Sequence, residues 1–161
     1  MFELAIIGGG PAAVAAGVYA ARKKIKSVLI AEAFGGQSLV SNDIQHWIGT
    51  KSLSGLDLAK NLEEHLRVHS DNIEVVEGDL INKVEKIDGG PPQGHFRLTA
   101  KSGKAFEAKT ILLATGSRRR RLAIPGEDRL DGKGVVFCST CDAPLFKDKT
   151  VAIVGAGNAG L

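Results

Sequence analysis

Leu4-Ala5-Ile6-Ile7-Gly8-Gly9-Gly10-Pro11-Ala12-Ala13 is the stretch whose reading decides the fold. Four consecutive apolar residues without alternation predict a short strand buried on both faces, and the glycines predict its abrupt end. Proline then suits the first turn of a helix, where a missing N–H costs little, and PAAVAAGVYAAR over 11–22 continues with small residues that let a helix lie close to a sheet. Ser27 to Ala31 (SVLIA) reads as a second buried strand, so residues 3–31 predict one βαβ unit with parallel strands and a right-handed crossover. Within it, residues 8–13 read G-x-G-x-x-A. Gly8 allows the tight turn, Gly10 lets the backbone approach a pyrophosphate, and Ala13 lets helix and strand pack closely; Gly9, Pro11 and Ala12 complete the loop. The helix N-terminus offers N–H groups and a positive dipole to the phosphates. Glu32, ending the second strand, supplies a carboxylate that accepts hydrogen bonds from ribose hydroxyls and repels a 2′-phosphate, which favours an unphosphorylated adenosine. The competing reading is a glycine-rich βα turn with an incidental surface glutamate.

A second loop of the same kind, Gly155-Ala156-Gly157-Asn158-Ala159-Gly160, follows the apolar run Thr150 to Val154 near the end of the chain. That run is expected to be another buried strand. Two such loops point to two dinucleotides handled together, and a flavin with a nicotinamide is the economical pair because electrons can pass between them. A duplicated structural turn is the alternative.

Between the loops lies Cys138-Ser139-Thr140-Cys141-Asp142. A C-x-x-C spacing lets two sulfurs form and open a disulfide, accepting two electrons and handing them on by thiol exchange, with Asp142 placed to give or take the accompanying proton. Half of a zinc site would need two more ligands. No other cysteine exists, and among His46, His65, His69 and His95 only His65 and His69 stand four apart, as expected of an exposed helix face, so no metal is assigned. Two ordinary buried cysteines are the remaining alternative; a thioredoxin-like domain would need its own βαβ surround.

The rest of the chain fills in the frame. Leu56 to His69 places Leu58, Ala59, Leu62 and Leu66 on one helical face, and Ile73 to Glu77 is a further strand. LINKVEKI, HFRLTA and KAFEAK, separated by DGGPPQG and Lys101-Ser102-Gly103, predict an antiparallel meander inserted in a parallel design. Thr110 to Ala114 is expected as a separate buried strand that stops at Thr115-Gly116. Residues 117–134, with four arginines and two Gly-containing turns, read as a linker. The fold class is therefore α/β, with a domain over 1–117, a linker over 118–134 and the start of a second domain over 135–161.

Composition bounds the function. Apolar residues make up 43% and charged residues 24% of 161, as in a globular chain. Glycine, at 20 residues, stands well above its usual share of about 7%. Of the net charge of +3, Arg118, Arg119, Arg120 and Arg121 supply four positives in one run, read as a solvated loop. No basic stripe interleaved with aromatics remains, so no nucleic-acid partner is expected. No stretch approaches the roughly 20 apolar residues that span a bilayer, and MFELAIIGGG lacks the basic start of a secretory signal, so a cytoplasmic protein without a membrane partner is expected.

Taken in order, GGGPAA at 8–13, Glu32, Gly35-Gly36-Gln37, Ala114-Thr115-Gly116, Pro125-Gly126-Glu127, CSTCD at 138–142 and GAGNAG at 155–160 resemble the low-molecular-weight thioredoxin reductases and the flavoprotein subunit of alkyl hydroperoxide reductase. The resemblance implies a Rossmann-like FAD-binding three-layer domain carrying the meander, followed by the start of a Rossmann-like NAD(P)-binding domain. It implies that Gly8, Gly10 and Ala13 hold the FAD pyrophosphate and Glu32 its ribose, that Gly36 and Gln37 lie along the flavin, and that Ala114, Thr115 and Gly116 close the FAD domain. Cys138 and Cys141 would be the redox pair beside the isoalloxazine, with Asp142 as proton donor, and Gly155, Gly157 and Gly160 would begin the NAD(P)H site. The implied activity is electron transfer from NAD(P)H through FAD and the dithiol to a thioredoxin-like or peroxiredoxin-system protein disulfide, in a complete protein that is a homodimer. The linker is where the family's domain rotation would hinge.

Three departures stand out. Where the family has Asn, an aromatic, Pro and Gly, this chain has His46, Trp47, Ile48 and Gly49, so the segment departs from the family at one polar flavin contact, with His46 kept as a cofactor-binding candidate. Met1 runs directly into the first strand, so the thioredoxin-like N-terminal extension of the peroxide-reductase subunit is expected to be absent, which favours the thioredoxin reductase side. The family's remaining nucleotide domain, its return to the FAD domain and its NADPH-phosphate-binding basic residues would all follow Leu161, so an inactive truncated form is expected. The rival functions are a flavoprotein dithiol oxidase and a non-catalytic nucleotide-binding fragment.

Overall fold

The computed structural model describes residues 1–89, 94–118, 120–138, 142–155 and 157. The chain divides into two compact units, Met1–Ser117 and Arg118–Leu161.

The first unit is built on a six-stranded sheet. In chain order the strands are β1 (Phe2–Ile7), β2 (Ser27–Ala31), β3 (Ile73–Glu77), β4 (Ile81–Ile87), β5 (His95–Ala100) and β6 (Ala105–Leu113), and they lie side by side as β3-β2-β1-β6-β5-β4. β3, β2, β1 and β6 are parallel, with Ile6 level with Leu29 and Leu112 and with Leu29 level with Val75. β4, β5 and β6 form the antiparallel meander, in which Leu98 faces Val84 and Phe106.

One strand joins the two halves. KAFEAK and Thr110 to Ala114, expected as two strands, run together as the single nine-residue β6, which ends at Leu113, and Ala108 is paired with Phe96 on one side and Phe2 on the other. The reason is local: no glycine or proline interrupts residues 105–113, so nothing ends the first strand before the second begins. Nor is the second half fully buried. Leu113 is exposed, and Thr110 turns its hydroxyl outward to donate to the Glu3 carbonyl at 2.6 Å.

Alternation along the strands sends side chains to two cores. Ile6, Leu29 and Ala31 pack with Ala13, Val14, Val18 and Ala21 of helix α1 (Pro11–Arg22) and with Leu66 of helix α2 (Gly55–Arg67). Ala5, Ile7, Val28 and Ile30 point the other way and pack with Leu98, Ala100, Phe106 and Ala108, so the meander supplies the apolar partners that helices supply opposite. α1 approaches closely because Gly17 has no side chain: a Cβ there would come within 2.8 Å of Leu66 Cδ1. α2 begins at Ser54, whose hydroxyl accepts the Asp57 N–H at 3.1 Å, and it buries Leu58, Ala59 and Leu66 as its periodicity predicts.

The second unit contains helix α3 (Glu127–Leu130) and a 3-10 turn at Ala143–Phe146. Residues 118–134, read as a linker, thus carry structure of their own. The buried strand expected over Thr150 to Val154 is overturned: these residues join no strand, and Val151, Ile153 and Val154 are exposed. An apolar run becomes a strand only beside a ladder partner, and none flanks it among the described residues.

Candidate functional site

The glycine loop leaves β1 at its carboxyl end, and its three glycines are needed for different reasons. Gly8 has φ +131°, and a Cβ on it would overlap the Ala114 carbonyl oxygen; its own N–H donates to Ile30 O at 2.9 Å. Gly9 would overlap the Ala33 carbonyl oxygen, and its carbonyl accepts the Gly35 N–H at 2.9 Å. Gly10 is different. Its φ is −79°, a value any residue adopts, and the nearest atom to a Cβ there would be Gly36 Cα at 4.0 Å. Gly8 and Gly9 are therefore required by the chain's own packing, whereas the space at Gly10 is left open. Gly10 is also the N-cap of α1, which has no side-chain cap, no acidic residue in its first turn, and proline in it. An uncapped helix start beside an open glycine is a cradle for an anion. Ala13 is fully buried against the sheet.

A second backbone wall faces this loop. Gly35 (φ +97°) and Gly36 (φ +55°) enter the 3-10 turn Gly36–Val40, and a Cβ on Gly36 would lie 3.3 Å from Gly10 Cα. Gln37 is exposed on this turn, and Glu32 is exposed just beyond β2. The turn is held from behind by α2. A Cβ on Gly35 would come within 2.6 Å of Ala59 Cβ, and one on Gly55 would overlap the Ser38 carbonyl oxygen, while Gly55 N–H donates to Ser41 O at 2.9 Å. Gly55 was not among the residues singled out from sequence. Its signal is a glycine at the first helical position, where it weakens the helix unless something packs against it.

The third wall is the end of β6. Ala114 N–H donates to Ile7 O at 2.9 Å, and Thr115 and Gly116 (φ +65°) continue exposed from it. Gly8–Ala13, Glu32, Gly36-Gln37 and Ala114–Gly116 thus follow the carboxyl ends of the adjacent parallel strands β1, β2 and β6, the crevice in which open α/β sheets bind ligands. His46 stands apart from these contacts. It is exposed on the loop 45–51, which the Ile44–Leu53 bridge closes and Asp43 braces through Ser52 Oγ and Gln45 Nε2, both at 2.6 Å. Those bonds, Ser52 first, hold the Asp43 carboxyl below its usual range.

In the second unit Cys138 is disulfide-bonded; Cys141, the only other cysteine in the sequence, lies outside the described residues. Asp142 makes a reciprocal pair with Cys138: its carboxylate accepts the Cys138 N–H at 3.0 Å, and its N–H donates to the Cys138 carbonyl at 2.9 Å. The carboxylate read as a proton donor thus also binds the backbone of Cys138. Of the second glycine motif, Gly155 (φ +109°) and Gly157 are described, and Gly160 lies outside the described residues. No group of three or more His, Cys, Asp or Glu side chains among the described residues is placed to hold a metal ion.

These features have counterparts in known proteins. The model of the pyridine nucleotide-disulphide oxidoreductase family matches residues 2–161. The chain is 42% identical over 163 residues to an alkyl hydroperoxide reductase subunit of Pseudomonas aeruginosa and 39% identical over 160 residues to an NADH dehydrogenase of Bacillus subtilis, matching 99% of this chain and 30% of each of those proteins. Among solved structures it is similar to thioredoxin reductase of Streptococcus pyogenes, with a TM-score of 0.76 and 33% identity over 91% of this chain and 45% of that one. Thioredoxin reductase of T. acidophilum gives 0.68 and 32% over 99% of this chain and 50% of the other. The chain belongs to the pyridine nucleotide-disulphide oxidoreductase family, whose thioredoxin reductase-like members use FAD and NAD(P)H, and its six-stranded sheet is their Rossmann-like FAD-binding fold. It spans under a third of the curated relatives' length and about half of the solved thioredoxin reductases.

Proposed function

We propose that the chain is the FAD-binding and dithiol-bearing part of a flavin-dependent disulfide reductase, and that electrons pass from NAD(P)H through FAD and the Cys138-Cys141 couple to a disulfide on a thioredoxin-like or peroxiredoxin-system protein. The observation that carries this reading is the open backbone at Gly10, a space that the chain's own packing does not require. In this reading α1's first N–H groups meet the pyrophosphate, Glu32 takes the ribose hydroxyls, and Gly36 and Gln37 with Ala114–Gly116 line the way to the ring. FAD supplies a two-electron carrier between nicotinamide and thiol. Asp142 orients Cys138 and is placed to exchange a proton when the disulfide opens. The disulfide at Cys138 favours a disulfide reductase over a dehydrogenase that passes electrons without thiols. Gly155, Gly157 and Gly160 are assigned to the nicotinamide nucleotide, and His46 to the flavin side. The complete protein is proposed to be a cytoplasmic homodimer; among the described residues no helix is long and apolar enough to cross a membrane.

Titrating the purified chain with FAD tests the reading directly. Quenched flavin fluorescence and flavin bands that survive gel filtration are expected, and Gly10→Val is expected to abolish both. Equal binding by Gly10→Val would sink the assignment.

A further inference from the structure

Arg121 belongs to a run of four arginines that reads as a solvated loop, yet the structure makes it the centre of a knot. Its guanidinium spans Asp131 Oδ2 at 2.5 Å, Asp128 Oδ1 at 2.6 Å and Glu127 Oε1 at 3.3 Å. Glu127 is buried at 4% exposure, and its two carboxylate oxygens also accept the N–H groups of Leu122 at 3.0 Å and Ala123 at 2.7 Å. These bonds hold Ala123 at φ +55°, a backbone region costly for a residue with a side chain. The far end is closed by Gly132 N–H to Val135 O and Val135 N–H to Leu130 O, both at 2.9 Å. Two residues on, the Phe137 ring lies under the same guanidinium, 5.4 Å from centroid to Cζ. Phe137 immediately precedes Cys138. Arg121 therefore grips the entry, the helix and the exit of residues 121–137 at once, and Cys138 leaves the chain from its last fixed point. On its other side Cys138 is held by Asp142.

We propose that Arg121 is a positioning residue for the Cys138 couple: set over the Phe137 ring while bound to Glu127 and Asp131, it fixes the backbone from which Cys138 departs and so favours closure of the disulfide. This rests on the assignment of Cys138 and Cys141 as one couple. The exchange concerned is balanced. Two protein thiols give up two protons and two electrons as the S–S bond forms, and glutathione disulfide takes them up as its own S–S bond breaks to give two glutathione thiols. Holding one sulfur's backbone in place raises the effective concentration of one thiol at the other, so loosening it lowers the equilibrium constant for closure. A residue that only added stability to the fold would leave that constant unchanged in the native protein.

The test equilibrates the whole 161-residue chain in glutathione buffers of stepped ratio, quenches with acid, labels free thiols and reads the fractions by mass. Wild type is expected to titrate as one two-electron couple. Arg121→Lys keeps the charge but loses the planar fork that reaches the carboxylates and the ring together, and is expected to lower the closure constant by about threefold or more. Phe137→Leu cuts the link between knot and dithiol while sparing the carboxylate pairs, and is expected to shift the constant the same way. Asp128 is fully exposed, and Asp128→Asn is expected to leave it unmoved. Unchanged constants in both Arg121→Lys and Phe137→Leu overturn the proposal. So does a shift in Arg121→Lys alone, or a shift in Asp128→Asn as large as in the other two. A wild type that forms no two-electron couple removes the cysteine assignment itself, and this inference with it. Phe137→Leu stands as the test if Arg121→Lys fails to fold.

Discussion

Gly8 and Gly10 are neighbours in one motif, yet they respond to opposite demands. At Gly8 an added methyl meets the Ala114 carbonyl and the backbone lies at φ +131°, so Gly8→Ala is expected to destabilise the fold by roughly 1–3 kcal/mol. At Gly10 neither obstacle exists, so Gly10→Ala is expected to move stability by less than about 1 kcal/mol. It is nevertheless expected to weaken FAD binding about tenfold or more, because the methyl enters the space beside the helix start. Thermal unfolding without flavin and a fluorescence titration with it separate the two effects; normal flavin affinity in Gly10→Ala would contradict the assigned cradle. The spacing G-x-G-x-x-A makes Gly8, Gly10 and Ala13 legible in the sequence as positions of one strand-turn-helix, although the Ala114 carbonyl that crowds Gly8 comes from the far end of β6. Gly9 and Gly55 are not legible in that way. Their partners, the Ala33 and Ser38 carbonyls, come from distant segments that only the folded sheet brings close.

Elements follow the same division between local and tertiary causes. β1, α1, β2, α2 and β3 lie where apolar runs and helical periodicity predict them, because each carries its burial pattern in its own residues. β6 and residues 150–154 do not, since a strand's extent and even its existence depend on neighbours that the segment does not encode. A single carboxylate ties the connection between β3 and β4 to the turn between β5 and β6. Asp79 follows β3, and its carboxylate accepts Leu80 N–H at 2.9 Å, Ser102 N–H at 3.2 Å and the Ser102 hydroxyl, while its own N–H donates to Ala31 O at 3.3 Å. The Ser102 hydroxyl foremost, then the two backbone N–H groups and the Lys104 charge, hold its carboxyl below the usual aspartate value against the opposing effect of burial. A folded-state value below the unfolded one means stability that is fully present above the unfolded value and lost as pH falls through the folded value. Asp79→Asn is therefore expected to lower the urea midpoint at neutral pH and to reduce the midpoint's fall on acidification. A variant whose acid limb matches wild type would show that Asp79 makes no such contribution.

At the scale of the whole molecule, two glycine loops of similar sequence sit in unlike surroundings, and this decides which should take FAD. The first leaves a strand with parallel partners on both sides, opens a helix that no side chain caps and meets two further backbone walls at Gly36 and Ala114. The second follows residues that form no strand, and a Cβ on Gly155 or Gly157 would meet nothing within 4 Å. A loop binds pyrophosphate through N–H groups already aimed at it, and those of the first loop stand at a helix start between two further backbone walls. FAD is thus expected to select the first loop. At a hundredfold excess over its dissociation constant it stabilises the segments it holds by about 2.7 kcal/mol, which slows amide exchange governed by the same opening by about a hundredfold. Hydrogen exchange with and without FAD should therefore show new protection at residues 8–14, 32–38 and 114–117. Protection that appears at 150–157 and leaves 8–14 unchanged would assign the flavin to the other loop, and with it reverse the order of the two nucleotide sites along the chain.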